Sequence, residues 1–372
     1  MKENSASSLL LITGATGHVG FRTLIYALSA GYTVRAAVRS QAKASTILSH
    51  PLIQSLNPGS RLTFVIVPDI VAPFAYDKAA RGVNYVIHIA SPLTANYEVP
   101  LNEQDAHYIQ PAVRGTLGML EAAKKSGTVR RVVITSSIVA LVPVSQMEGF
   151  EYSERPVLPT DRVPFIPGPY ETEFAAYAAS KVASLQAAES WMRVERPKFD
   201  VVYLHPSYVE GRNDLATNVR GALTGTNALI LGIVLGKKFA SFAGATVHNE
   251  DVGRVHVQAL NPEIPGNTNY ILSRPMRWDD TKEIVRREFP EAVQRRALPN
   301  CGSAKTHELA IDASLTEKTF GFTHLGYEEQ VKSVVGHYLE LRTRGSMAFH
   351  TGGSQEQVRG AIGRSQHVTA NA

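Results

Sequence analysis

Cysteine is nearly absent: Cys301 stands alone in 372 residues. A single thiol excludes an internal disulfide and a cysteine metal cluster, and it fits a reducing compartment. Long hydrophobic runs are missing too. The longest candidate, Ala228 to Leu235, is far short of the roughly 20 residues a membrane helix requires. The opening MKENSASS is polar and lacks the apolar core of a secretory signal, so the cytoplasm is the expected compartment. Charge of one sign is not concentrated anywhere. The net charge is +5, but basic residues are scattered, with only short pairs such as Arg130-Arg131, Lys237-Lys238 and Arg295-Arg296. A nucleic-acid surface needs a clustered basic stripe with interleaved aromatics, so no such partner is expected. The 12 histidines show no ligand spacing with acids, and no metal site is expected. Glycine and proline, at 28 and 20, rule out collagen-like and low-complexity classes.

What is present is enough apolar sequence, 44%, for a sizeable core. Short β-branched runs alternate with helical patterns. Leu9 to Thr13, Thr33 to Val38, Leu62 to Val67, Val83 to Ile89, Arg131 to Thr135 and Val201 to Leu204 read as six strands. Near-continuous apolar runs belong to strands buried on both faces. Joined by right-handed crossover helices, they predict an α/β fold of Rossmann type with a doubly wound parallel sheet. This core is expected over residues 8–205, including a proline-rich loop at 142–174 that borders a substrate site. A smaller substrate lobe is expected over 206–344, with elements that return to the core: a strand at Asn269 to Leu272, a helix at Trp278 to Phe289 and a last helix from Tyr327 to Arg344. The polar end, 345–372, reads as a flexible tail.

Directly after the first strand comes TGATGHVG, and helical periodicity follows. Glycines 14, 17 and 20 permit a tight turn, close approach of backbone N–H groups to a pyrophosphate, and close packing of helix on strand. The helix N-terminus then faces the anion. Gly14, Thr16, Gly17, His18, Val19 and Gly20 are thus the expected dinucleotide-phosphate cradle. After the second strand, VRAAVRSQAK contains no acid to bind free ribose hydroxyls, whereas Arg39 and Lys43 lie where a 2′-phosphate would sit. This favours NADPH (NADP+) over NADH; the alternative is a pair of solvated surface charges. Asp69, with Ile70 beside it, ends the third strand and is placed to accept from an adenine amino group or to cap a turn.

In FAAYAASKVASLQAAESW, Tyr177 and Lys181 stand one helical turn apart on one face. A lysine ammonium beside a tyrosine hydroxyl favours the phenolate, lowering its pKa from about 10 and suiting it to general acid–base work. Tyr-x-x-x-Lys alone is common on exposed helices. It gains meaning from Ser136 and Ser137, which follow Thr135 at the carboxyl end of the fifth strand, the edge where such sheets bind ligands. Ser137 is the expected carbonyl-positioning hydroxyl.

The glycine loop, VIHIASP (Val86 to Pro92), PAVRGTLGMLEAAK, RRVVITSS, YAASK and YVEG occur in that order. Together they resemble the extended short-chain dehydrogenase/reductase superfamily, NAD(P)-dependent epimerase/dehydratase-like. Within it the similarity is greatest to the group of dihydroflavonol, cinnamoyl-CoA and NADPH-dependent aldehyde (methylglyoxal) reductases. The resemblance spans roughly residues 8 to 342. It implies a Ser137-Tyr177-Lys181 triad, with Lys181 also bonding the nicotinamide ribose. It further implies dinucleotide contacts from Ala90, Ser91, Pro92, Thr135 and Pro206, and from the backbone at Ser207 and Tyr208. The implied substrate is a carbonyl compound of medium size, aromatic or polyketide-like, of secondary metabolism, and the implied assembly is a monomer or homodimer. Where many relatives have an apolar residue followed by Gly-Pro, this chain has Glu210-Gly211-Arg212, a pair expected to reshape the pocket or to join at its rim. Three alternatives share the fold. A nucleotide-sugar epimerase or dehydratase is disfavoured by the apolar neighbours Ile138 and Val139. An oxidative alcohol or steroid dehydrogenase is left open by the residues. A dinucleotide-sensing protein with a dead site is disfavoured by retention of Tyr177 and Lys181.

Overall fold

Seven parallel strands form the centre of the molecule: β1 (Leu9–Thr13), β2 (Thr33–Val38), β3 (Leu62–Ile66), β4 (Tyr85–His88), β5 (Arg131–Thr135), β6 (Asp200–Pro206) and, far later in the chain, the strand Thr268–Leu272. A computed structural model describes residues 8–91 and 99–352. The order across the sheet is Thr268–Leu272, β6, β5, β4, β1, β2, β3. Helices cover both faces, so the sheet is a Rossmann-type doubly wound α/β fold, as its apolar runs predict. Leu10, Leu11 and Ile12 of β1 are wholly buried, their side chains divided between two core clusters on opposite faces. Strand order reverses between β1 and β4, and the crevice outside the carboxyl ends of these strands is where ligands enter such folds.

The expected strand positions agree with those observed to within a residue or two. The last helix differs: Tyr327–Gly352 continues beyond Arg344, so the first residues assigned to a tail are helical. Residues 353–372 lie outside the described residues. The 142–174 segment is not wholly irregular. It contains the helix Val144–Met147, and Val157 bridges to Ile311.

The region after β6 holds more strand than its sequence suggests. Tyr208–Glu210 (β7), Lys238–Ala243 (β8), Ala245–His248 (β9), the sheet strand Thr268–Leu272 (β10), Arg274–Pro275 (β11) and Ser303–His307 (β12) build two small sheets besides the returning β10. One is ordered β11-β9-β7, the other β12-β8. These strands are short, and β8 and β12 are half exposed, so neither length nor alternation marks them. A separate core around Trp278, Ile230, Leu231 and Val331 packs this region together. No helix among the described residues is long and apolar enough to cross a membrane.

Candidate active site

Each motif residue sits where a strand or helix end delivers it. Thr13 closes β1 and the chain turns through Gly14, whose φ is +74°. A Cβ at Gly14 would lie 2.8 Å from the Ala90 nitrogen, and one at Gly20 would lie 2.0 Å from the Gly14 carbonyl oxygen. Both positions demand glycine because backbone meets backbone there. The helix His18–Ser29 begins at Gly17 with no side-chain cap, so its first N–H groups are left to face an anion. The Thr13 hydroxyl accepts from the Ile89 and Ala90 N–H groups at 3.1 Å each and donates to His88 Nδ1 at 2.9 Å. This fixes the 89–91 turn beside the glycine loop. Thr13 and His88 are register partners on β1 and β4, a pairing that sequence reasoning missed.

Arg39 and Lys43 follow β2, both exposed, and neither forms an ion pair among the described residues. Asp69 is exposed and its carboxylate accepts from the Val71 N–H at 2.9 Å, the turn-capping alternative. Ile70 lies half buried against Gly115. Pro92 is outside the described residues.

Ser137 caps the short turn after β5, accepting from Val139 N–H at 3.4 Å. Ser137 also acts on the Tyr177 hydroxyl, in the direction that lowers its pKa. The helix Glu173–Glu195 starts at Thr172, whose hydroxyl accepts from Ala175 N–H at 3.0 Å, and it carries Tyr177 and Lys181 to the same place. Lys181 Nζ lies 5.6 Å from the Tyr177 ring centre and donates to Ser91 Oγ at 3.0 Å. Tyr177, Lys181, Ser137 and Ser91 therefore meet at the carboxyl ends of β4 and β5. Behind Lys181 a water-sized cavity of about 20 Å³ is lined by Ser91, Thr116, Thr135, Ser136, Ser184 and Tyr203 among others.

The electrostatics correct one expectation. Burial pushes Tyr177 above its ordinary value, and the Ser137 hydrogen bond opposes this in part. Lys181 adds no lowering in this geometry; burial depresses Lys181 itself to about 8, and its ammonium donates to Ser91. The Thr135 hydroxyl donates to His256 Nε2 at 2.7 Å, because His256 Nδ1–H is turned to the Val252 carbonyl. It ties β5 to the helix Asn249–Gln258. A further correction concerns the Glu210-Arg212 pair. Glu210 and Arg212 do not pair. Glu210 is wholly buried with no hydrogen-bond partner among the described residues, its carboxyl raised by desolvation, while Arg212 engages Asp214 and Glu340.

Three residues without a sequence signal complete the site. His205, wholly buried beside Pro206, donates from Nε2 to Asn269 at 2.7 Å, and its Nδ1 lies 3.2 Å from the Ser137 carbonyl. Phe174 packs 6.5 Å from Tyr177, centre to centre. Glu148 accepts from the Thr172 hydroxyl at 3.4 Å and lies close enough to Tyr208 to raise its pKa. Burial is the main cause of that rise, to about 12, and Glu210 and Tyr177 add to it. Beyond its expected backbone role, the Tyr208 side chain thus stands between Tyr177 and Trp278, whose ring is 5.9 Å away.

A doubly wound sheet with a glycine cradle at its switch point and a tyrosine, lysine and serine gathered beside it defines a nicotinamide-dependent oxidoreductase. The chain belongs to the NAD dependent epimerase/dehydratase family, whose model matches residues 10–269, and is an extended short-chain dehydrogenase/reductase. It is 43% identical to the ketoreductase CTB6 of Cercospora nicotianae over 346 residues, 90% of this chain and 96% of that one. It is 35% identical to the NAD-dependent epimerase/dehydratase ALT6 of Alternaria alternata, over 87% of this chain and 96% of that one. The fold is similar to that of yeast methylglyoxal/isovaleraldehyde reductase Gre2 complexed with NADPH (TM-score 0.75, 21% identity, 90% of this chain and 99% of that one).

Proposed function

We propose that the protein is an NADPH-dependent ketoreductase in which Tyr177 is the general acid. The observation that carries this reading is the meeting of Tyr177, Ser137 and Lys181 at the strand ends beside the glycine cradle. The residues present fit a dinucleotide. Gly14 and Gly20 leave no room for a Cβ in the backbone turn, and Arg39 and Lys43 are exposed next to β2, with no ion pair among the described residues. Gly14 to Gly20 would hold the pyrophosphate, Arg39 and Lys43 the 2′-phosphate, and Lys181 and Ser91 the ribose next to the nicotinamide. Once bound, the nicotinamide supplies the hydride.

The chain's own residues do the rest. Ser137 donates to the carbonyl oxygen of the substrate and holds it against Tyr177. Tyr177, kept protonated by burial, gives its proton to the oxygen as negative charge develops there. Lys181, whose ammonium donates to Ser91 beside Tyr177, would hold the nicotinamide ribose in place for that transfer. A hydroxyl held neutral suits the reductive direction, because an acid must carry its proton into the reaction. The names of the relatives support a ketone over an aldehyde as substrate.

The pH profile tests this assignment. Lys181, lowered to about 8, is charged below that pH and neutral above it. The value of kcat/KM for NADPH, which reports free enzyme, should be level towards neutrality and fall as pH rises through about 8. Lys181→Met should lower the plateau and abolish the limb. A profile that climbs through this range would overturn the role of Lys181.

A further inference from the structure

The strand β7, which carries Tyr208, ends at Glu210, and the chain then crosses the first turn of the helix His18–Ser29 as the segment 211–214. Gly211, at φ +142°, makes that crossing possible, since a Cβ there would press on Asn249 at 3.1 Å. His18 Nε2–H donates to the Gly211 carbonyl at 3.1 Å. The same residue is clipped by Asn227, whose amide accepts from Gly211 N–H at 3.0 Å and donates to its carbonyl at 2.7 Å. Asn249 Nδ2 lies 3.3 Å from both the His18 and the Arg212 carbonyls. Three residues on, the Asp214 carboxylate, 3% exposed, is held by Arg22 at 2.5 Å and Arg212 at 3.3 Å, and His50 donates to the Asp214 carbonyl at 3.0 Å. Arg22 and His18 both belong to the helix that opens from the glycine loop.

We propose that His18 and Asp214 form a latch that fastens the segment 211–214, and with it the Tyr208 strand, to the dinucleotide-phosphate loop, so that His18 is a positioning residue for dinucleotide binding. The inference rests on the reading of Gly14 to Gly20 as that loop. A loop rich in glycine has many conformations to lose, and Gly17 offers no side-chain cap to restrict them. The tether from outside restricts them in advance, so less ordering has to be supplied when the anion arrives. Burial keeps His18 neutral, with a pKa of about 4, which places its single proton on the nitrogen that faces Gly211. By linkage, an occupied loop should in turn steady the segment 211–214.

The test compares the full-length chain with His18→Phe, which keeps volume and removes the donor, and with His18→Gln, which restores an N–H donor. The dissociation constant for NADPH should rise about tenfold in His18→Phe, at the upper end of what one hydrogen bond contributes. The Gln variant should recover most of that loss. The main effect should fall on cofactor affinity and KM, with kcat at saturation far less changed. NADP+ should slow amide exchange at 211–214 in the wild type and much less in His18→Phe. Asp214→Asn should move affinity in the same direction. Unchanged NADPH affinity in His18→Phe, with a wild type that binds normally, overturns the latch alone. A wild type that binds neither nicotinamide dinucleotide overturns the reading of the loop and the latch with it.

Discussion

Replacing Tyr177 by Phe should lower kcat for ketone reduction by about 10²- to 10⁴-fold, the range general acid catalysis contributes. Dinucleotide binding should survive. The Tyr177 ring is packed beside Phe174, so the ring can stay while the proton donor is lost. Initial rates at saturating NADPH, with affinity measured separately by fluorescence titration, distinguish the two effects. A variant that turns over like the wild type would remove Tyr177 from the chemistry. A variant that merely binds cofactor poorly would make Tyr177 a packing residue.

The second large effect concerns the choice of cofactor. Arg39 and Lys43 are exposed and form no ion pair among the described residues, so their loss should cost the fold little. Contacts of a phosphate with charged donors are worth about 1.5–3 kcal/mol each, discounted here for solvent screening. Removing both, as Arg39→Ala with Lys43→Ala, should cut kcat/KM for NADPH by about a hundredfold and leave that for NADH nearly unchanged. The ratio of the two is the measurement. A wild type that already prefers NADH, or a double variant with an unaltered ratio, would show that these residues are solvated surface charges.

Much of this was legible from sequence, for local reasons. The runs at Leu9, Arg131 and Val201 are apolar because both faces of the sheet are covered, and the glycine triplet is fixed by backbone contacts that tolerate no Cβ. Tyr177 and Lys181 share a helical face through their spacing alone. What escaped depends on partners remote in the chain. His88 is explained by Thr13, 75 residues earlier, and His256 by Thr135, 121 residues earlier. Desolvation of Tyr177 arises from tertiary enclosure, so its direction could not be read from the lysine one turn away. Glu210 reads in sequence as half of a charged pair with Arg212, and it lies wholly buried at the end of β7, opposite His248 of β9. The strands β7, β9 and β11 are two to four residues long and are defined by each other, with no periodicity of their own to announce them.

The central claim is that the chain moves a hydride from NADPH to a ketone while Tyr177 supplies the proton. NADPH carrying deuterium on the transferred position of its nicotinamide ring, incubated with wild-type protein and a panel of aromatic and polyketide-like ketones, tests it most directly. Deuterium is expected on the carbinol carbon of at least one product, delivered to a single face, with solvent hydrogen on the new hydroxyl. Consumption of no ketone in the panel, or a product whose carbinol carbon carries solvent hydrogen, would contradict it.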